Sequence, residues 1–363
     1  MAYVASDASI GATKETTWGT YAAPTRWFEF KSETLDLVKN VKQGVGLRAT
    51  GTALARSGRR FIPTTTVAGD VEFEVTSRQF GNLFENAIGF GTPTLIPTKT
   101  TAYQQVFTLP TSANSVIQPP GLTIQKGVMP VGASAPLAFT FLGMTCTDWE
   151  FNLPENDLLS LKMSLAGKAY NNNATTALVT PSYAANMGTA FHSGMATVQV
   201  GGTITAPTTT ALASMTSPLA SLNVVDFNLK GSNSLNTTRY VLSASGSSAT
   251  ISQPTYGLRS LSGSMTVEFD ATSDIVGKFQ NDTAVPIIVT LQGSATNGGD
   301  LIDTGSYGAI QFVISDARFN SELSKVSGTD IVQMKIEFDV LDNLTATQPF
   351  WLVYQTNAAS AVL

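Results

Sequence analysis

The sequence predicts a mainly β protein built as two related domains in tandem, each with one flanking helix. Three observations carry this: a strand-and-cap segment that occurs twice, short runs of alternating apolar and polar residues, and a composition poor in charge. Val71–Gly81 reads VEFEVTSRQFG and Val267–Gly277 reads VEFDATSDIVG, identical at six of eleven positions, with Glu74 facing Asp270 as a similar pair. Val71 and Val267 lie 196 residues apart, far beyond the period of a solenoid or propeller, so two domains are predicted rather than an array. At 363 residues the chain is long enough to give both an ordinary core.

In the first copy Val71, Phe73 and Val75 alternate with Asp70, Glu72 and Glu74, the period of a strand with one buried and one wet face. Phe80, Leu83, Phe84, Ala87 and Ile88 then recur at helical spacing. Thr76 or Ser77 is placed to cap the first turn and Gly89 to end the last. The second copy repeats the strand at Val267 and Phe269 and the cap at Thr272 and Ser273, before a shorter helix with Ile275, Val276 and Phe279 on its apolar side.

Residues 1–27 lack sustained periodicity and read as an N-terminal arm. It holds Trp18, which either folds back onto its own domain or reaches a neighbouring subunit. Phe28–Leu37 alternates as a strand and opens the first domain, 28–170. Val38–Arg60 carries Lys39, Lys42, Arg48, Arg56, Arg59 and Arg60 with no acidic residue. This is a long basic loop or hairpin, either solvated or set against acidic protein surface, with nucleic acid the third option. Residues 90–140 are rich in Pro and Thr and read as short strands between turns. Met144–Tyr170 then gives a hairpin turning near Pro154 and Asn156.

From Ala169 to Val225 there is no Lys, Arg, Asp or Glu, and 171–195 reads as linker. Ala196–Thr205 alternates across Gly201 and Gly202 and is expected to open the second domain, 196–345, as a hairpin. Val224–Leu235 parallels Phe28–Leu35, and Ile314–Asn343 echoes the Met144–Tyr170 hairpin with a longer turn. Residues 346–363 read as a final strand or a docking arm.

Only 13% of residues are charged, about half the usual globular share, which points to much of the surface meeting other protein, a weakly charged monomeric β-protein being the alternative. A net charge of −5 argues against a basic nucleic-acid-binding face. The single Cys146 allows neither an internal disulfide nor a cysteine metal cluster. The start lacks the basic and apolar regions of a signal peptide, and no apolar run approaches the roughly 18 residues of a membrane span, so cytosolic synthesis and no membrane association are expected. His192 stands alone in the charge-free connector and reads as structural. There is no metal-spaced cluster, phosphate-binding loop or nucleophile elbow, and a wet strand face accounts for Glu72, Glu74, Glu268 and Asp270. No enzymatic activity, cofactor or metal is expected.

The order of these segments resembles the major tail tube proteins of long-tailed, non-contractile, siphovirus-type bacteriophages. Carrying it are GATKETTWGT at Gly11–Thr20, the Phe30–Leu35 strand, GDVEFEV leading into NLFENAIG, and DFNL followed by TVEFD in the second half. Together these cover most of the chain, and none is diagnostic alone. The resemblance implies two tail-tube-like β-sandwich domains whose strands join a ring-shaped inner β-barrel, with rings stacking into the conduit for DNA ejection. Two such domains per chain imply a trimeric, pseudo-hexameric ring, a hexamer of whole chains being the alternative. Since DNA must slide, Glu72, Glu74, Glu268 and Asp270 become candidate lumen-lining residues. Lys39, Lys42, Arg48, Arg56, Arg59, Arg60 and Trp18 become candidate inter-ring contacts. A tape-measure protein and a tail terminator are the implied partners in the virion, and double-stranded DNA would pass without specific binding. The alternative is a virion surface decoration or receptor-binding β-sandwich module.

Overall fold

The computed structural model describes residues 7–46, 54–110, 121–129, 136–183, 187–219, 222–242, 250–268, 275–320 and 332–358. Alternating segments become strands throughout, and each half folds as two sheets enclosing an apolar core.

In the first half, β1 (Ser9–Lys14) pairs with β2 (Arg26–Phe28) on one side. A second sheet begins with β3 (Phe30–Glu33) and β4 (Asp36–Gln43), both paired with the long β5 (Arg60–Glu74). Helix α1 (Gly81–Ala87) follows, then the hairpin of β6 (Gly91–Leu95) and β7 (Tyr103–Thr108). Strand β8 (Leu122–Val128) pairs with the free side of β1 and with β9 (Leu137–Leu153). At 17 residues β9 is long enough to serve both sheets. Its first part holds β8 and β11 (Ala169–Asn172), while from Thr145 onward it pairs with β10 (Ser160–Gly167), which in turn pairs with β5. Gly143, at φ +67, lies between the two parts, where the backbone must turn as a residue with a Cβ rarely does.

The second half repeats the plan. Strand β12 (Ala196–Val200) is followed by the small hairpin of β13 (Thr203–Thr205) and β14 (Ser214–Thr216). Strand β15 (Val224–Ser232) leads through a short pair, β16 (Tyr240–Val241) and β17 (Thr250–Ile251), into β18 (Ser260–Glu268). Helix α2 (Ile275–Gln280) precedes β19 (Val285–Gln292), which pairs with β12 and β22 (Ala309–Phe319). Between them lies the hairpin of β20 (Leu301–Asp303) and β21 (Ser306–Tyr307). Strand β23 (Gln333–Val340) pairs with β18 and the end of β22, and β24 (Phe350–Thr356) pairs with β22 and, on its other side, with β7.

The halves are joined in both layers. Strand β9 pairs with β15 from Leu153 opposite Phe227 to Asp148 opposite Ser232, so one sheet runs β3/β4, β5, β10, β9, β15, β18, β23. In the other layer β7 and β6, from the first half, extend the sheet of β24. The apolar core is continuous across the junction, with Phe84 against Tyr354, Phe151 against Phe312 and Trp149 stacked on Phe350.

Several sequence expectations change. Residues 9–14 are no arm: Ile10 and Ala12 are buried in β1, because the strand is flanked on both sides and its small residues fit beneath Trp27. Ala196–Thr205 is not a hairpin: Gly201 and Gly202, at φ +75 and +78, turn the chain, but β12 joins β19 and β13 joins β14. Val224 lies opposite Val267 as Glu33 lies opposite Val71, so β15 takes the place of the β3 end and β4 start rather than of Phe28–Leu35. The terminal segment is a final strand, with Phe350 to Tyr354 buried. Neither Thr76 nor Ser77 caps α1. Thr76 Oγ1 donates to the Arg78 carbonyl and Ser77 Oγ to Asp300 Oδ2, the latter a contact that sequence neighbours could not reveal.

Candidate functional site

The sheet that runs through both halves has one face in the core and one in water. Val71, Phe73, Leu161, Met163, Phe151, Phe227, Leu229, Met265, Ile336 and Phe338 point inward. Their neighbours in each strand therefore form a single polar face. On it stand ten described carboxylates, Asp36, Asp70, Glu72, Glu74, Asp148, Glu150, Asp226, Glu268, Glu337 and Asp339, against four lysines, Lys31, Lys162, Lys230 and Lys335, and Arg318 at the end of β22. Each lysine is matched to a carboxylate: Lys31 to Glu72 at 3.3 Å, Lys162 to Asp70 at 3.1 Å, Lys230 to Glu150 at 3.3 Å and Lys335 to Glu337 at 3.3 Å. Burial pushes the Asp70 carboxyl up, but the Ser164 hydroxyl and the Lys162 ammonium outweigh it and hold the group below its usual range. With its cations already engaged, the face offers excess negative charge. Glu72, Glu74 and Glu268 lie on it, and Glu268 accepts from Asn223 Nδ2 at 2.7 Å. Asp270 lies outside the described residues.

The basic stretch is a hairpin that leaves the body of the protein. Strands β4 and β5 pair from Asp36 opposite Ala68 out to Gln43 opposite Arg60. Beyond Leu37 both faces of β4 are exposed, as are the first four residues of β5. Lys39, Lys42, Arg56, Arg59 and Arg60 are all exposed on it, and among the described residues no carboxylate pairs with them. Arg48 lies outside the described residues. Sequence reasoning singled out the charges and missed the apolar groups beside them: Val41, Val45, Phe61 and Ile62 are also exposed, Val45 by 96% and Phe61 by 61%. A protruding element that is both cationic and apolar is suited to burial against a weakly acidic protein surface.

Helix α1 sits at the junction of the halves, and all seven of its residues are buried, including Asn82, Glu85 and Asn86. The first half holds it through Lys14 Nζ, 2.6 Å from Glu85 Oε1. The second half receives its C-terminal carbonyls: Asn233 Nδ2 donates to Ala87 O at 2.9 Å and Arg259 Nη1 to Ile88 O at 2.6 Å. Just ahead of the helix, Arg78 makes two hydrogen bonds to Asp300, at 2.6 and 2.7 Å.

The remaining singled-out residues are held within the chain. Trp18 folds onto its own domain, its Nε1 donating to Gly143 O at 3.0 Å and its ring lying under Lys168 Nζ. Gly194 N–H donates to His192 Nδ1, which leaves Nε2 to donate to Asn297 O at 3.1 Å, a bracing role. Cys146 is buried, and burial pushes its thiol up, so it is a core residue. Among the described residues no group of His, Cys, Asp or Glu could hold a metal ion, and no helix is long and apolar enough to cross a membrane.

A sheet shared by both halves, a polar face along it and a projecting cationic hairpin offer surfaces suited to contact with other protein. A family model for phage tail tube proteins matches residues 5–340, and the chain belongs to that family. It is a structural tail tube protein and a virion component. No curated protein matches. Among solved structures, the crystal structure of a Pseudomonas aeruginosa FadL homologue aligns at 10% identity and a TM-score of 0.10, over 81% of this chain and 62% of that one, a likeness too low to bear on fold or function.

Proposed function

We propose that three copies of this chain close into a ring of six related domains, and that rings stack into the tube of a siphovirus-type tail that conducts DNA during ejection. The observation that supports this most is the β9–β15 pairing, by which one domain's sheet already continues into the next within a single chain. Among the described residues the same sheet ends at β3 and β4 on one side, which pair with β5, and at β23 and the Arg318–Phe319 end of β22 on the other. Open edges of this kind are normally protected, and closing the sheet on neighbouring copies removes them. Both halves contribute to one sheet, which favours a trimer over a hexamer in which the first half packs outside the barrel.

In such a ring the polar sheet face lines the lumen, with Glu72, Glu74, Glu268 and Asp270 among its carboxylates. Excess negative charge there repels phosphate and gives DNA no cationic foothold, so double-stranded DNA passes without specific binding. The β4–β5 hairpin, with Lys39, Lys42, Arg48, Arg56, Arg59 and Arg60, bridges stacked rings; the contacts of Trp18 favour an intramolecular role for that residue. A tape-measure protein and a tail terminator complete the tail, and subunits are made in the host cytoplasm. Negative-stain electron microscopy of concentrated protein tests the assembly: tubes of rings with threefold modulation are expected, whereas sixfold rings of whole chains or persistent monomers would sink the trimer.

A further inference from the structure

The junction between the halves can be compared element by element with the two free sides of the chain. In the second half, the side that carries the start of β15 and the loop after β19 is met by the first half. Leu153 at the end of β9 lies opposite Phe227, Leu158 bridges His192 ahead of β12, and Arg78 grips Asp300. Among the described residues the matching side of the first half is uncovered. There the start of β1, the β2–β3 segment and the end of β8 border an open groove of about 1340 Å³, with Phe30, Val128, Met129, Leu178 and Tyr183 giving it an apolar lining.

The opposite end of the chain presents the complementary contrast. Helix α2 rests on β22 as α1 rests on β9, and each helix follows the same repeated strand. Yet α1 is wholly buried between the two halves, whereas α2, which has no further half beyond it in the chain, buries only Ile275. A chain that carries one closed junction, one open receiving side and one open inserting side has the layout of a heterologous contact that closes by rotation.

We propose that the groove on the first half seats a second copy of this chain, through the side of its second half that carries β22 and α2. This rests on the ring reading and assigns the surfaces that would close it. The β4–β5 hairpin then remains free for contacts between rings.

Two double variants test it, each at positions at least partly exposed: Met129→Asp with Tyr183→Asp in the groove, and Val276→Asp with Gln280→Asp on α2. Sedimentation velocity should show wild-type rings, while either variant alone associates about tenfold or more weakly, since carboxylates are buried against an apolar surface. An equal mixture of the two should give a dimer and nothing larger, because one intact groove and one intact α2 side survive between them. Circular dichroism should match wild type; if the aspartates unfold the chain, Tyr183→Ala and Gln280→Arg carry the same test. Wild-type rings with unaffected variants, or a mixture that gives no dimer, overturn the groove and leave the ring standing. A groove variant that loses thermal stability but not assembly would mean the chain covers its own groove, and also overturns it. A wild type that stays monomeric at every concentration defeats the ring reading and this inference together.

Discussion

Asn233 shows how much one side chain can hold. It is buried just past β15, and its Nδ2 donates to both Ala87 O and Cys146 O, at 2.9 and 2.8 Å. Asn233→Ala strands two carbonyls away from water, so a loss of about 2–4 kcal/mol is expected in urea denaturation. Asp303 makes a different link. It accepts from the backbone N–H groups of Thr101, Thr100 and Thr304, which hold its carboxyl well below the ordinary value of 3.8. A carboxylate depressed on folding contributes stability fully above its unfolded pKa and loses it as pH falls through the folded value. Asp303→Asn should therefore lower the urea midpoint at neutral pH, with the difference from wild type shrinking in strong acid. A midpoint difference independent of pH would count against this bond set.

Helix α1 and the β4–β5 hairpin are opposites among the elements. Phe84 of α1 meets Phe80, Phe107, Phe151 and Tyr354, rings from both halves, at centroid distances of 5.2 to 5.8 Å. Phe84→Ala empties that cluster and should cost about 3–5 kcal/mol, with both halves losing cooperativity in calorimetry. The hairpin supports almost nothing within the subunit. Reversing Arg56, Arg59 and Arg60 to Glu should leave subunit stability within about 0.5 kcal/mol. Electron micrographs should then show single rings in place of tubes; tubes of normal length would remove the hairpin from ring stacking.

The molecule as a whole is a sheet with an electrostatic sign. Four lysines and one arginine set against ten carboxylates on one face leave that face acidic, in a chain whose net charge is −5. Replacing Glu72, Glu74 and Glu268 by Lys inverts the balance locally. The variant should retain duplex DNA in a mobility-shift assay at about 50 mM salt and release it at about 200 mM, while wild type retains none at either. Retention by wild type would contradict a lumen through which DNA slides.

Local patterns determined much of this protein. The alternation of Val71, Phe73 and Val75 with charged neighbours places one face in the core and the other in water, because the strand period is two whatever surrounds it. The same rule made Glu72, Glu74 and Glu268 legible as wet-face residues, and charge content made the run from Lys39 to Arg60 legible as a basic loop or hairpin. What neighbouring residues cannot encode is which distant edges meet. Only the tertiary structure decided that β7 joins β24, that β12 turns away from β13 to join β19, and that Ser77 and Arg78 spend their polar groups on Asp300. It also decided that residues 9–13 are core, since five small or apolar residues become a buried strand only when β2 and β8 lie on either side. Periodicity is a property of one strand, whereas pairing is a property of two, and the second can be far away in sequence.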